Sequence, residues 1–359
     1  MNMLYEVSFF IVSLTLVIGG SMFVSQSLGR LGTRLNVPEQ LLGFIIALCA
    51  DSPEISASVV SMLSGRPDVA VGVVFGSNLF NLASLIGVTA VIAGSLTVPR
   101  ASVLLNGCVG MLVTVLAAAL VLGSVPPIVA FILLLAILTP YIVLLALQRE
   151  TITRINLPAA FTRFLVHAAG GVDADAKKIQ QASAENEGEK ERKESDPQVR
   201  RENREEKRRA SVAGLAFRIF ASLTVIVLGS TGLVRSTTAL TAGWLPRSLL
   251  GTLVLAALTG IPNLYTAVQL ARRQRGSAVV TEAMNSNNLN ILVGLAIPSL
   301  IFGSLTAKTP GGYLDVWVLL LMTLVVIGML ALRRGIDRMW GIALIAAYLL
   351  FVAFRIYLA

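Results

Sequence analysis

The stretch GFIIALCADSPEISAS, residues 43–58, sets a proline and two carboxylates inside an otherwise apolar helix. GSNLFN follows at 76–81. The pattern returns 209 positions later, as TGIPNLYTA at 259–267 and NSNNLN at 285–290. Without a gap, that offset maps Pro53 onto Pro262, Glu54 onto Asn263, Ser77 onto Ser286, Asn78 onto Asn287 and Asn81 onto Asn290. Carboxylates and amides are costly in hydrocarbon, and they persist where an ion or substrate needs them. Proline-interrupted polar helices at corresponding places in two halves point to a midplane binding site.

Composition puts these helices in a membrane. The 359 residues are 55% hydrophobic and 14% charged, against about 25% charged in a soluble domain. Eleven of the 20 acidic and 11 of the 29 basic residues fall between Asp173 and Arg209. Of the nine acidic residues left, only Asp51 and Glu54 lie deep in an apolar run, with Glu282 just inside one. The excess positive charge is scattered through short loops and not gathered on one soluble face. That pattern suits membrane topology and excludes nucleic acid as a partner. Cys49 and Cys108 both sit in apolar runs, so they read as buried packing residues and not as a disulfide. The N-terminus lacks a basic region and a small-residue cleavage site, so the first apolar run reads as a span.

Apolar runs long enough for about 30 Å of hydrocarbon occur near 5–26, 40–63, 69–95, 101–122 and 125–147, then near 213–234, 248–271, 277–303, 313–332 and 339–358. The expected fold is therefore all-α and polytopic, with about ten transmembrane helices in two groups of five. Residues 1–147 form the first half, with a polar repeat at 43–87. Residues 213–359 form the second, with its repeat at 252–296. Between them, 148–212 is a charged loop whose tract from 177 to 209 is nearly free of apolar residues and cannot form a core. Arginines follow the first, third, fifth, seventh and ninth runs, at positions such as Arg30, Arg100, Arg149, Arg272 and Arg333. The positive-inside rule then places both termini outside and the central loop in the cytoplasm. With five spans per half, the second repeat threads the bilayer opposite to the first, giving an inverted repeat.

Pro53 has no N–H for the helix ladder and frees a carbonyl near Cys49. Asp51 and Glu54, three apart, project on nearly one face at that break. Two such charges cannot both ionise cheaply in a low dielectric. A divalent cation, two monovalent cations or a shared proton would resolve the conflict. Ser77 with Asn81, and Ser286 with Asn290, are each four apart on one helix face, and Thr259 and Asn263 flank Pro262. Hard cations take such carboxylate, amide, hydroxyl and carbonyl oxygens.

GFIIALCADSPEISAS with GSNLFN resembles the first alpha repeat of the cation/calcium antiporter superfamily, typified by sodium/calcium exchangers, whose usual form is A-x-G-T-S-x-P-E followed by G-S-N-x-x-N. The resemblance covers both repeats and the five-plus-five layout. It implies an antiporter and not an enzyme, with calcium, sodium or protons as cargo and no cofactor. It also implies the inner membrane of a prokaryote, function as a monomer, and lipid and small cations as the only partners. By the same resemblance Glu54 is a ligand carboxylate, and Ser77, Asn81 and Ser286 are oxygen donors beside it. Ala47 and Ala256 match positions whose carbonyls face the ions, and Asn290 stands where relatives carry Asp or Asn. Spans two, three, seven and eight would form the core, with spans one and six sliding across it and Gly19 and Gly20 allowing close approach. Two departures stand out. Ala50 and Asp51 replace Thr-Ser, and Asn263 replaces the second repeat's glutamate, so two acidic ligands remain but both come from the first repeat. The competing expectations are a cation/proton exchanger built on the Asp51–Glu54 pair and an ion-binding membrane scaffold that moves nothing.

Overall fold

The computed structural model describes residues 3–35, 48–146, 212–242, 249–272, 275–303, 309–333 and 335–358, together with the single positions 158, 162, 164, 165, 246 and 305. Of the central loop only Pro158, Thr162, Phe164, Leu165 and Val212 are described; the rest of it, with His167, and Ala47 lie outside the described residues. The first half comprises α1 (Met3–Arg34), α2 (Ser52–Leu63), α3 (Pro67–Leu79) and α4 (Ile86–Ala93), then α5 (Arg100–Val121) and α6 (Pro127–Ala146). The second comprises α7 (Val212–Thr241), α8 (Ala256–Thr259), α9 (Ile261–Arg272), α10 (Gly276–Ile291), α11 (Ile297–Phe302), α12 (Pro310–Arg333) and α13 (Arg338–Tyr357). The fold is all-α and polytopic, as expected. Among the described residues seven helices are long and apolar enough to cross a membrane, or eight if the bent pair Leu250–Thr259 and Ile261–Arg272 counts as one span. Two expected runs fall short of that measure. Run 40–63 is described only from residue 48, and 277–303 carries a block of asparagines that lowers its hydropathy.

Among the described residues three π-helical segments interrupt the regular helices. Phe80–Leu85 joins α3 to α4, Leu250–Leu255 leads into α8, and Leu292–Ala296 joins α10 to α11. Such bulges concentrate at functional sites, because each re-aims the side chains that follow. The first begins within the first asparagine motif, at Phe80, and the third begins two residues after the second motif. Residues 69–87 of the span Pro67–Ala93 are all buried in the bundle, whereas most of Val212–Thr241 faces outward.

Glycine decides how closely the inner helices approach. A Cβ on Gly76 would collide with the Thr252 carbonyl and come within 2.8 Å of the Ala256 methyl. A Cβ on Gly72 would stand 2.9 Å from the Thr252 nitrogen. The α3 backbone therefore lies directly against the segment Leu250–Leu255, which carries the break of α8 and α9 into the centre. Gly76→Ala should cost about 1–3 kcal/mol through overpacking. A thermal or denaturant midpoint in detergent equal to that of the parent protein would contradict this packing.

α1 packs along α7. Of the two glycines expected to permit this, Gly20 does so, since its Cβ would stand 2.7 Å from Ile226, whereas Gly19 has nothing within 4 Å. A short antiparallel ribbon pairs β1 (Ser95–Thr97) with β2 (Gly335–Asp337), and Arg100 Nε donates to the Ala331 carbonyl at 3.1 Å. The connections after α4 and after α12 thus meet at one end of the bundle.

Three sequence expectations are corrected by packing. Cys108 is exposed on α5 and Cys49 is half-buried, so neither is a fully buried core residue. Glu6 and Asp315, read as loop or span-end charges, are both 4% exposed. Asp315 lies within α12, where its Oδ1 pairs with Arg355 Nε at 2.8 Å and its Oδ2 accepts from Thr252 at 3.0 Å. A buried pair of this kind persists because losing one partner strands the other charge. The carbonyl of Cys49 is not left open either: Ser52 Oγ, one residue before Pro53, donates to it at 2.5 Å.

Candidate cation site

Both proline breaks meet at the centre. In the first repeat the helix turns at Asp51, and Ile55 N donates to the Asp51 carbonyl at 3.0 Å. In the second, α8 and α9 bend by 47° at Gly260, and Leu264 N donates to the Gly260 carbonyl at 3.0 Å. Irregular backbone at membrane depth is tolerated where protein or a cavity satisfies it. These two breaks face each other across the repeat boundary.

The carboxylates are bridged by the residue that replaced the missing glutamate. Asn263 Nδ2 donates to Asp51 Oδ1 at 2.8 Å and to Glu54 Oε1 at 3.2 Å. Ser286 Oγ donates to the same Asp51 oxygen at 2.5 Å and accepts from Asn81 Nδ2 at 2.9 Å. Behind them the two asparagine motifs bond reciprocally. Asn78 Nδ2 donates to the Asn287 carbonyl at 3.2 Å, and Asn287 Nδ2 donates to the Asn78 carbonyl at 3.1 Å. Asn290 Nδ2 reaches Asn78 Oδ1 at 3.4 Å, and Asn81 Nδ2 also reaches Asn287 Oδ1 at 3.1 Å.

What this network leaves over is oxygen. Asp51 Oδ2, Glu54 Oε2, Ser77 Oγ, Asn81 Oδ1, Asn263 Oδ1 and Asn290 Oδ1 are all buried without a hydrogen-bond partner. Buried polar atoms normally find partners, and two carboxylates and three amides sharing one such deficit mark a place where something with positive charge fits. Carboxylate, amide and hydroxyl oxygens are the kinds that a calcium-sized hard cation takes. The sequence-expected residues Asp51, Glu54, Ser77, Asn81, Asn263, Ser286 and Asn290 are thus all buried, and direct hydrogen bonds join Asp51, Glu54, Asn263, Ser286, Asn81 and Asn290 through Asn287 and Asn78. Thr259 is buried, but its hydroxyl proton goes to the Leu255 carbonyl at 2.8 Å, leaving only lone pairs. The Ala256 carbonyl already accepts from Gly260 N at 3.1 Å.

Sequence reasoning missed the support behind α10. Tyr141 Oη lies 2.5 Å from Asn285 Oδ1 and 2.9 Å from Asn106 Oδ1, and Asn106 Nδ2 donates to Thr281 Oγ1 at 3.2 Å. Thr281 and Asn285 lie on the α10 face away from Ser286. Their tie to α5 and α6 sets the helix rotation that points Ser286 at Asp51. The signal was present as polar residues four apart in α10, but their partners lie on two other spans. Glu282 stands apart. Among the described residues no three acidic, histidine or cysteine side chains are close enough to hold an ion together. Its Oε2 is nevertheless buried and without a partner.

A bundle of apolar helices enclosing two facing breaks and a surplus of buried oxygens defines a polytopic membrane transporter fold. The sodium/calcium exchanger protein family matches residues 5–150 and 215–357, and the chain belongs to that family. Among curated relatives, sodium/potassium/calcium exchanger 1 of Mus musculus is 32% identical over 117 residues, which is 31% of this chain and 10% of that protein. The Drosophila melanogaster sodium/potassium/calcium exchanger Nckx30C is 30% identical over 115 residues, 30% of this chain and 13% of that protein. The match therefore spans only a small part of these longer relatives. A solved structure of the sodium-calcium exchanger NCX_Mj soaked with 100 mM Na+ and 10 mM Sr2+ superposes with a TM-score of 0.60 at 20% identity, over 98% of this chain and 99% of that one. The structure soaked with 2.5 mM Na+ and 0.1 mM Ca2+ gives 0.59 at 21% identity, over 97% and 98%. Those likenesses establish the fold.

Proposed function

We propose that the chain is a secondary antiporter that exchanges calcium for sodium by alternating access, with Asp51 and Glu54 as its two acidic ligands. The observation that carries this is the pair of buried carboxylates, bridged by Asn263 and each left with one buried oxygen that has no partner. Asn263 gives the site its mechanism. Its amino group now bridges both carboxylates, supplying partial positive charge where a cation would supply a full one. On loading, the cation replaces that bridge, and a half-turn of the amide presents Asn263 Oδ1 to it. The side chain is donor when the site is empty and acceptor when it is full. The neutral donors Ser77, Asn81, Ser286 and Asn290 complete the shell, and the Ala256 carbonyl and the Thr259 hydroxyl stand in reserve.

The inverted layout supports coupling. The reciprocal Asn78–Asn287 bonds join residues 209 apart, as a two-fold relation between the repeats would require. The β1–β2 ribbon brings together two connections that the arginine pattern assigns to the cytoplasmic face. Calcium uptake into proteoliposomes tests the reading. An outward-directed sodium gradient should drive it, and a proton gradient should not. Uptake driven by protons alone would favour the exchanger in which the Asp51–Glu54 pair carries a proton. Binding without uptake would leave only an ion-binding scaffold.

Glu282 lies one turn before Ser286 and two before Asn290, about 6 Å along the axis from the former. Its Oε2 is buried and has no hydrogen-bond partner. It is placed to draw cations toward the site from the α9–α10 connection. Glu282→Gln should raise the half-saturating calcium concentration on that face several-fold and leave the opposite face unchanged. Equal effects on both faces would make Glu282 a structural residue.

A further inference from the structure

The offset that relates the polar motifs also relates α1 to α7. It maps Val17 onto Ile226, Gly20 onto Gly229 and Ser21 onto Ser230. The packing obeys the mapping. A Cβ on Gly20 would stand 2.7 Å from Ile226, and a Cβ on Gly229 would stand 2.9 Å from Val17. The two helices therefore cross at equivalent points, with one serine immediately after each crossing glycine. Around those serines the equivalence fails. Ser21 Oγ donates to the Ala50 carbonyl at 3.4 Å. Ser230 is fully buried, and its hydroxyl has no partner. The equivalent of the Ala50 carbonyl is that of Thr259, at the other break.

The larger packing is unequal in the same sense. α7 lies extensively along α2, while α1 touches α9 at only a few places. Arg66 Nη1 also donates to Thr238 Oγ1 at 2.5 Å, tying the far end of α7 to the α2–α3 turn. One face of the bundle is thus closed by α7 and the other is less closely covered by α1. When two repeats are related by an axis in the membrane plane, exchanging their conformations converts one access state into the other.

Resting on the antiporter reading, we infer that Ser21 and Ser230 are alternating latches: Ser21 holds the Ala50 carbonyl in the state seen, and Ser230 takes the Thr259 carbonyl in the opposite one. Each serine acts on a backbone break beside the cation site, at Asp51 or at Gly260. They are positioning residues and touch no cargo. The hydroxyl of Ser230 is buried without a partner here because its acceptor belongs to the other state. A serine serving only local packing would have its bond in the state observed, as Ser236 and Thr237 do further along α7.

Hydrogen exchange on the full-length protein in nanodiscs, without calcium, reads the two faces separately through 52–63 and 261–272. Ser21→Ala removes a bond present only in the state seen. It should speed exchange in 52–63 and slow it in 261–272, moving the ratio of the two by about two- to tenfold, the usual weight of one hydrogen bond. Ser230→Ala should move the same ratio the opposite way, and the double variant should return it toward the parent value. Ser21→Thr keeps the hydroxyl and should behave as the parent, which separates loss of the bond from loss of the fold. Shifts of the same sign from both alanine variants, or no shift from either, would overturn the latch. The readout does not depend on flux, so a chain with opposed shifts but no transport would sink the antiporter reading and leave the two-state device standing.

Discussion

Glu54→Gln is expected to abolish calcium flux while leaving expression and folding close to those of the parent protein. Glu54 is fully buried, with one oxygen on Asn263 and the other without a partner. Glutamine keeps the volume and can still accept from Asn263, so packing is little disturbed. What it removes is one of two formal charges facing the cation. At about 4 Å, with the effective dielectric of real protein sites, a unit charge pair is worth about 4 kcal/mol, or roughly a thousandfold in affinity. Direct calcium titration and proteoliposome flux measure the loss. Undiminished transport by the purified variant would remove Glu54 from the site.

The second large effect concerns the relocated carboxylate. Asp51→Ser alone should severely weaken calcium binding. It removes a charge and strands the Ser286 hydroxyl and one Asn263 N–H that now bond to Asp51 Oδ1. Asn263→Glu alone should also weaken the ion-free protein, because a third carboxylate would replace the amide that bridges the other two. The two changes together restore one acid on each repeat. Their combined loss should be smaller than the sum of the single losses, with a coupling of about 1–3 kcal/mol in a double-mutant cycle. Simple additivity would mean that Asp51 does not stand in for the missing glutamate.

Much of this molecule could be read without coordinates, and the reason lies in hydrocarbon. A charge or amide there costs so much that each one in an apolar run carries information. The sequence therefore exposed Asp51, Glu54, Asn263 and the asparagine motifs directly, along with the membrane class and the two proline breaks. Spacing then put Ser77 with Asn81, and Ser286 with Asn290, on single helix faces, because helix periodicity is local. The family follows from the same residues.

What the sequence could not decide were partnerships between helices distant in the chain. It left Asp315 with the loop charges, because nothing local shows that Arg355, 40 residues on, turns back to meet it. It read the Cys49 carbonyl as open, whereas the Ser52 rotamer closes it. It could list Asn263 as a ligand but not show its amino group bridging both carboxylates, since that depends on how α9 is rotated against α2. Nor could it show that only one of the two equivalent serines has its bond. Repetition at a fixed offset is written in the chain; the departure from it, with Ser21 bonded and Ser230 not, comes from how the halves pack against each other in one state.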